Sequence, residues 1–222
     1  MGVPNSPRTT TTCPRYSLDT RTCANCGDKI VMKVSPVVAK AKVLTNTKAK
    51  ISWKKVKGAE RYVIYFAKCS KDKVTKIATT KNLSYVKSGL KKCGTYKFKV
   101  VAQRKVGGKW KAISTSYISH FISGDLTRGK GVTNTKKVIV NKKAVTIKAG
   151  KTKTLKAKVV GVKAGKKILG KTHAASVRYL STDTDIAKVT RSGKITAKKA
   201  GTCTVYAIGV NGVWKAVKVT VK

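Results

Sequence analysis

The stretch "VRYLSTDTDIAKVTRSGKITAKKAGTCTVYA", residues 177–207, decides the fold. Its apolar runs are short, rich in Val, Ile, Thr and Tyr, and broken at even intervals by Gly, Ser, Asp and Lys. That spacing is the sign of strands joined by tight turns, and no helical period of useful length competes with it. Ser192-Gly193 supplies the positive-φ residue of a tight hairpin. Gly201 allows a turn into a long strand over residues 202–209. Tyr179, Ile186, Val189, Ile195 and Val205 are the expected inward-facing core.

The same rhythm extends both ways. Residues 36–124 carry "AKISW", "RYVIYFA" and "TYKFKVVAQ", and residues 136–222 carry "KKVIVN", "AVTIKAG", "TCTVYAIGV" and "AVKVTV". Between them, residues 125–135 are glycine-rich and nearly devoid of large apolar side chains, as in a linker. Residues 1–35, rich in Thr, Pro, Arg and Cys, have little apolar periodicity and read as largely irregular. The 222 residues are enough for two domains, each with its own core.

The charge is the unusual quantity. Fifty-one Lys and Arg stand against seven Asp and Glu, a formal net of +44, while apolar residues still make up 41%. "TLKAKVV" and "AVKVTVK" place lysine at every second position, which turns one face of a strand apolar and the other cationic. Lysines on outward faces also discourage sheet edges from sticking together. Solubility asks for mixed signs, however, so an excess of one sign points to an acidic partner. Lysine far outnumbers arginine, and a flexible point charge suits phosphate without base reading. Sequence-specific nucleic-acid recognition is disfavoured on that ground.

Nothing approaches eighteen consecutive apolar residues, so no membrane span is expected. The opening "MGVPNSPRTTTTCPRY" lacks the apolar centre of a secretory signal. Either a leader has been removed or the chain travels by another route.

The motifs of residues 136–222 resemble the bacterial immunoglobulin-like domain of group 2. They are Gly150-Lys151-Thr152, Tyr179 with Ser181, Ile186-Ala187 with Val189, Ser192-Gly193-Lys194, Ile195-Thr196-Ala197 and Ala200-Gly201-Thr202. Residues 36–124 resemble a fibronectin type III domain, through Ile51-Ser52-Trp53, "VKGAERYVIYFA", the Leu90…Tyr96 spacing of a tyrosine corner and the Gly107-Gly108 hairpin. Lysine-rich versions of both occur in surface proteins of Gram-positive anaerobes. The segment "TTTTCPRYSLDTRTCANCGDKI" is similar to short Cys-x-x-Cys units of such proteins. The resemblance implies an all-β chain of two tandem Ig-like β-sandwiches behind a short cysteine-containing N-terminal segment.

Chemistry-bearing residues are sparse. Cys23-x-x-Cys26 has the spacing of a zinc knuckle and Cys13 would be a third ligand, but a fourth is missing, because His120 and His173 lie in other zones. A thiol remnant or a small disulfide-stapled loop is the favoured reading, and no cofactor beyond a structural zinc there is contemplated. Cys69 and Cys93 are expected at one end of the first sandwich, where a disulfide or two separate thiols are both open. Cys203 reads as a small buried hydrophobe, and Asp183 and Asp185 as turn caps rather than a calcium cage. With two histidines and scattered acids, no nucleophile–base set can be assembled, so an enzyme is not expected. Trp110 and Trp214 sit beside glycines and lysines; they either contact a ligand or cover the core, the latter favoured.

The functional expectation is a non-enzymatic, extracellular or cell-surface adhesion or stalk protein. Its lysine faces would hold an anionic polymer, such as teichoic acid or another cell-wall component, or an acidic protein surface. The rival is a bacteriophage virion protein decorating capsid or tail, and a weaker third is a cationic nucleic-acid binder.

Overall fold

The computed structural model describes residues 18–22, 29–124, 131–170 and 175–222. Among them every regular element is a strand. Within the N-terminal stretch expected to be irregular, β1 (Leu18–Thr22) and β2 (Lys29–Lys33) pair antiparallel, from Leu18↔Lys33 to Thr22↔Lys29. The run Ile30-Val31-Met32 is a strand former, which explains the pairing. Cys13, Cys23 and Cys26 lie outside the described residues.

The first sandwich has two sheets. One is β3 (Ala39–Thr45), β4 (Lys48–Trp53) and β7 (Ser84–Lys87), in that order. The other contains β5 (Arg61–Lys68), β6 (Thr75–Thr80), β8 (Thr95–Val106), β9 (Lys109–Thr115) and β10 (Ser119–Ile122), ordered β10-β8-β5-β6 with β9 beside β8. Their inner faces meet in a core holding Ile51, Trp53, Tyr62, Ile64, Phe98, Val100 and Phe121. The strand β4 shows why the sheet forms: in "KAKISW" both Lys48 and Lys50 are exposed while Ala49 and Ile51 are fully buried. The Leu90…Tyr96 spacing does what a tyrosine corner requires, since the Lys91 N–H donates to Tyr96 Oη at 2.8 Å and Leu90 is buried beneath it.

The second sandwich begins with β11 (Val132–Thr133), β12 (Thr135–Val140), β13 (Ala144–Ile147), β14 (Thr152–Thr154), β15 (Ala157–Gly161) and β16 (Lys167–Ile168). It ends with β17 (Val177–Ser181), β18 (Ala187–Val189), β19 (Lys194–Ala197), β20 (Gly201–Gly209) and β21 (Trp214–Val221). A four-stranded sheet, β13-β21-β20-β17, packs on a three-stranded one, β14-β19-β18, while β12–β15 and β11–β16 form separate pairs. Leu155, Ile195, Val205, Val217 and Val219 are fully buried between them. Gly193 has φ +86°, and a Cβ there would stand 2.3 Å from the Leu155 carbonyl oxygen, so the hairpin admits glycine for two reasons.

Two expectations need correction. "TLKAKVV" is not one strand: the chain leaves the three-stranded sheet at Leu155, which drops into the core, and re-pairs with β12 from Ala157. Residues 131–135 are also not linker in character. Thr133 and Thr135 are fully or nearly fully buried, and Val132–Thr133 pairs parallel with Lys167–Ile168. Small polar residues mimic a linker in composition while fitting a crowded edge.

Candidate binding surface

The five-stranded sheet of the first sandwich has one face on the core and one away from it. Tyr62, Ile64 and Phe66 of β5 and Tyr96, Phe98, Val100 and Ala102 of β8 point inward. By the two-residue period, Arg61 and Tyr65 of β5 and Lys97, Lys99, Gln103 and Lys105 of β8 lie on the other face. Register then builds the rows Lys76–Tyr65–Lys99 and Arg61–Gln103, with Lys105 opposite Trp110. Each aromatic ring on this face carries a cation. Lys99 Nζ is 4.9 Å from the Tyr65 centroid, Arg61 Cζ is 3.7 Å from that of Trp110, and Lys105 Nζ is 5.6 Å from the same ring. Trp110 is thus half-buried under a guanidinium rather than presented bare.

Trp214 has a different fate, because the two sandwiches are docked on one another. Val38 of the first packs with Leu180, Tyr206 and Ile208 of the second, and Tyr117 and Trp214 close the cluster. Trp214 meets Tyr206 edge-on, at 6.4 Å and 86°, and Lys40 Nζ stands 5.0 Å above it. Around this apolar patch several polar groups pair across the junction. The Ala41 N–H donates to the Asn211 carbonyl at 2.9 Å, and Asn211 Nδ2 donates to the Ala41 and Thr135 carbonyls at 3.3 and 3.0 Å. The Asn134 amide accepts from the Ile122 N–H at 2.9 Å and donates to the Ile122 carbonyl at 2.7 Å. The turn that carries Asn211 approaches so closely that a Cβ at Gly212, whose φ is +84°, would stand 2.0 Å from the Ala39 carbonyl oxygen.

Arg178 completes the junction. Its guanidinium donates to the Ile118, Gly209 and Val210 carbonyls and to Ser119 Oγ, and lies 5.0 Å from the Tyr117 ring. Burial pulls its pKa down to about 10, against an opposing pull from Tyr117. Sequence reasoning gave Arg178 no role. The available signal was β20 itself, where "VYAIGV" is continuously apolar and not alternating, as in a strand covered on both faces.

Cys69 and Cys93 are both thiols here. Cys69 Sγ is 3.3 Å from His120 Nδ1, and burial pushes the thiol pKa up. Cys93 adopts φ +59° in the turn before Tyr96. Cys203 is buried in the second core. Asp183 Oδ1 accepts from the Asp185 and Ile186 N–H groups at 2.9 and 3.1 Å, a turn cap. Among the described residues no helix is long and apolar enough to cross a membrane.

None of the curated proteins compared with the chain matches it in sequence. Among solved structures, it is similar to the FN3 domain of human contactin 1, with 18% identity over 54% of this chain and 92% of that one, at a TM-score of 0.35. The FN5 domain of Drosophila Lar gives 21%, 39% and 90% with a TM-score of 0.32, and the crystal structure of FN3tt gives 22%, 41% and 95% with 0.31. Residues 134–221, which hold all of the second sandwich from β12 onward, match the family model of the bacterial Ig-like domain (group 2).

Proposed function

We propose that the chain is a non-enzymatic, modular stalk or adhesion unit of a bacterial surface. In this reading its lysine-bearing strand faces hold an anionic polymer of the cell wall, such as teichoic acid. The observation that carries the reading is the placement of charge. On strands such as β3, β4 and β21 the core-facing residues are buried while Lys40, Lys42, Lys48, Lys50 and Lys218 stand exposed, in a chain with a net charge of +44. The like-charged pair Lys42↔Lys50 lies directly across two strands, an arrangement that costs stability unless anions condense on it. The family match of residues 134–221 supports a surface module.

Co-sedimentation of the purified chain with Gram-positive walls, intact and stripped of teichoic acid, over a salt series tests this. Binding that weakens steeply with salt and disappears on stripping is expected. Unchanged binding to stripped walls, or none to intact walls, overturns the wall-polymer reading and turns attention to virions.

A further inference from the structure

We propose that Arg61 is a preorganised oxyanion-binding site on the outer face of the five-stranded sheet, with Lys105 beside it and Lys99 further along. This rests on the reading of the chain as an anion holder, but it narrows a diffuse basic surface to one residue with a defined geometry. Arg61 is held in two ways. Its Cζ lies 3.7 Å from the Trp110 ring centroid, and its Nε donates to Gln103 Oε1 at 2.9 Å. Gln103 is its cross-strand partner in the register of β5 and β8, so the backbone pairing itself fixes the clamp. With Nε spent, the two Nη groups carry no hydrogen-bond partner among the described residues, and they form the outer pair of the guanidinium fork. A fork already fixed in orientation loses little freedom when it takes two oxygens of a phosphate or carboxylate.

The surrounding charges suit an extended ligand. Lys105 Nζ shares the Trp110 ring with Arg61, so two cations stand at one aromatic platform. Lys99, held over Tyr65, lies about 13 Å away, the rise of four residues along β5 from Arg61 to Tyr65. A polymer with repeated oxyanions can reach both, whereas a single small anion reaches only the first. Trp110 then acts by positioning the guanidinium and not by stacking on the ligand. Sugar or base stacking would require Arg61 to leave the ring.

The test uses the conservative variant Arg61→Lys, which keeps the charge and removes the fork, in the full chain. Linear polyphosphate and poly-aspartate, each fluorescently labelled, serve as phosphate and carboxylate probes by anisotropy at about 0.15 M salt. A loss of about tenfold for Arg61→Lys with at least one polymer is expected, and the polymer that shows it names the oxyanion. Lys153→Gln, which removes a whole charge from the second sandwich, should change binding less than about twofold. Equal binding by Arg61→Lys and the unaltered chain, or losses no larger than that of Lys153→Gln, overturns the site. Circular dichroism melts of both variants establish that they are folded. The two readings fail separately. Wall binding that Arg61→Lys leaves intact, with no loss on either polymer, removes the site and leaves wall holding. An unaltered chain that ignores walls, while Arg61→Lys still loses polyphosphate, removes wall holding and leaves the site.

Discussion

Strands β20 and β21 are neighbours, hydrogen-bonded from Gly201↔Val221 to Ile208↔Trp214, yet they read as opposites. Along β21, Val217, Val219 and Val221 are buried while Lys218 between them is exposed. Along β20, burial is continuous from Val205 to Gly209. Both strands place one face on the same core, so the difference lies on the other face. The Thr204–Lys218 row looks outward, whereas the Leu180–Tyr206 and Ile208–Trp214 pairs lie under the first sandwich. A strand therefore records in its sequence what covers its second face, water or another domain.

Substituting the covered row tests this contrast most severely. Ile208→Asp should place a carboxylate in the apolar patch beside Val38 and Tyr206 and cost about 4 kcal/mol, read as a fall in the urea midpoint of the full chain. The contrast breaks if the cost is no greater than that of a charge placed at Thr204. Arg178→Ala comes next. It leaves the Ile118, Gly209 and Val210 carbonyls without their shared donor, and a loss of about 2 kcal/mol is expected. The outcome that sharpens the comparison is a single unfolding transition in the unaltered chain that separates into two in this variant, because Arg178 bridges the sandwiches and not either core. The smallest effect belongs to the open row. Lys218→Gln should shift stability by less than about 0.5 kcal/mol, and a larger shift would mean that this lysine does more than face solvent.

Short-range features were legible in advance. Ser192-Gly193 closes its hairpin, Asp183 caps its turn, and Tyr96 bonds back to Lys91, because each depends on residues within a few positions of one another. The candidate surface was legible only in outline. Trp110 stood out as an aromatic among lysines, but its partner Arg61 lies on another strand and is brought over the ring by register. Trp214 looked equivalent to Trp110 by its local context, "NGVWKA" beside "GGKWKA", and only docking separates them. The break in "TLKAKVV" at Leu155 was hidden for a related reason: alternation gives the direction of side chains, and not which of two sheets a strand will join.

The order of residues alone determines that this chain is built of strands, that its lysines fall on outward faces and where its hairpins turn. Period and turn chemistry are local, and they hold whatever the strands later meet. Which outward face stays open was decided by tertiary structure. Lys54 and Tyr206, 152 positions apart, share a hydrogen bond at 3.3 Å across the junction, and no periodicity spans such a distance. Two outward faces with similar alternation differ in whether a complementary surface exists to cover them. That depends on shape and on matched donors and acceptors brought together from both domains.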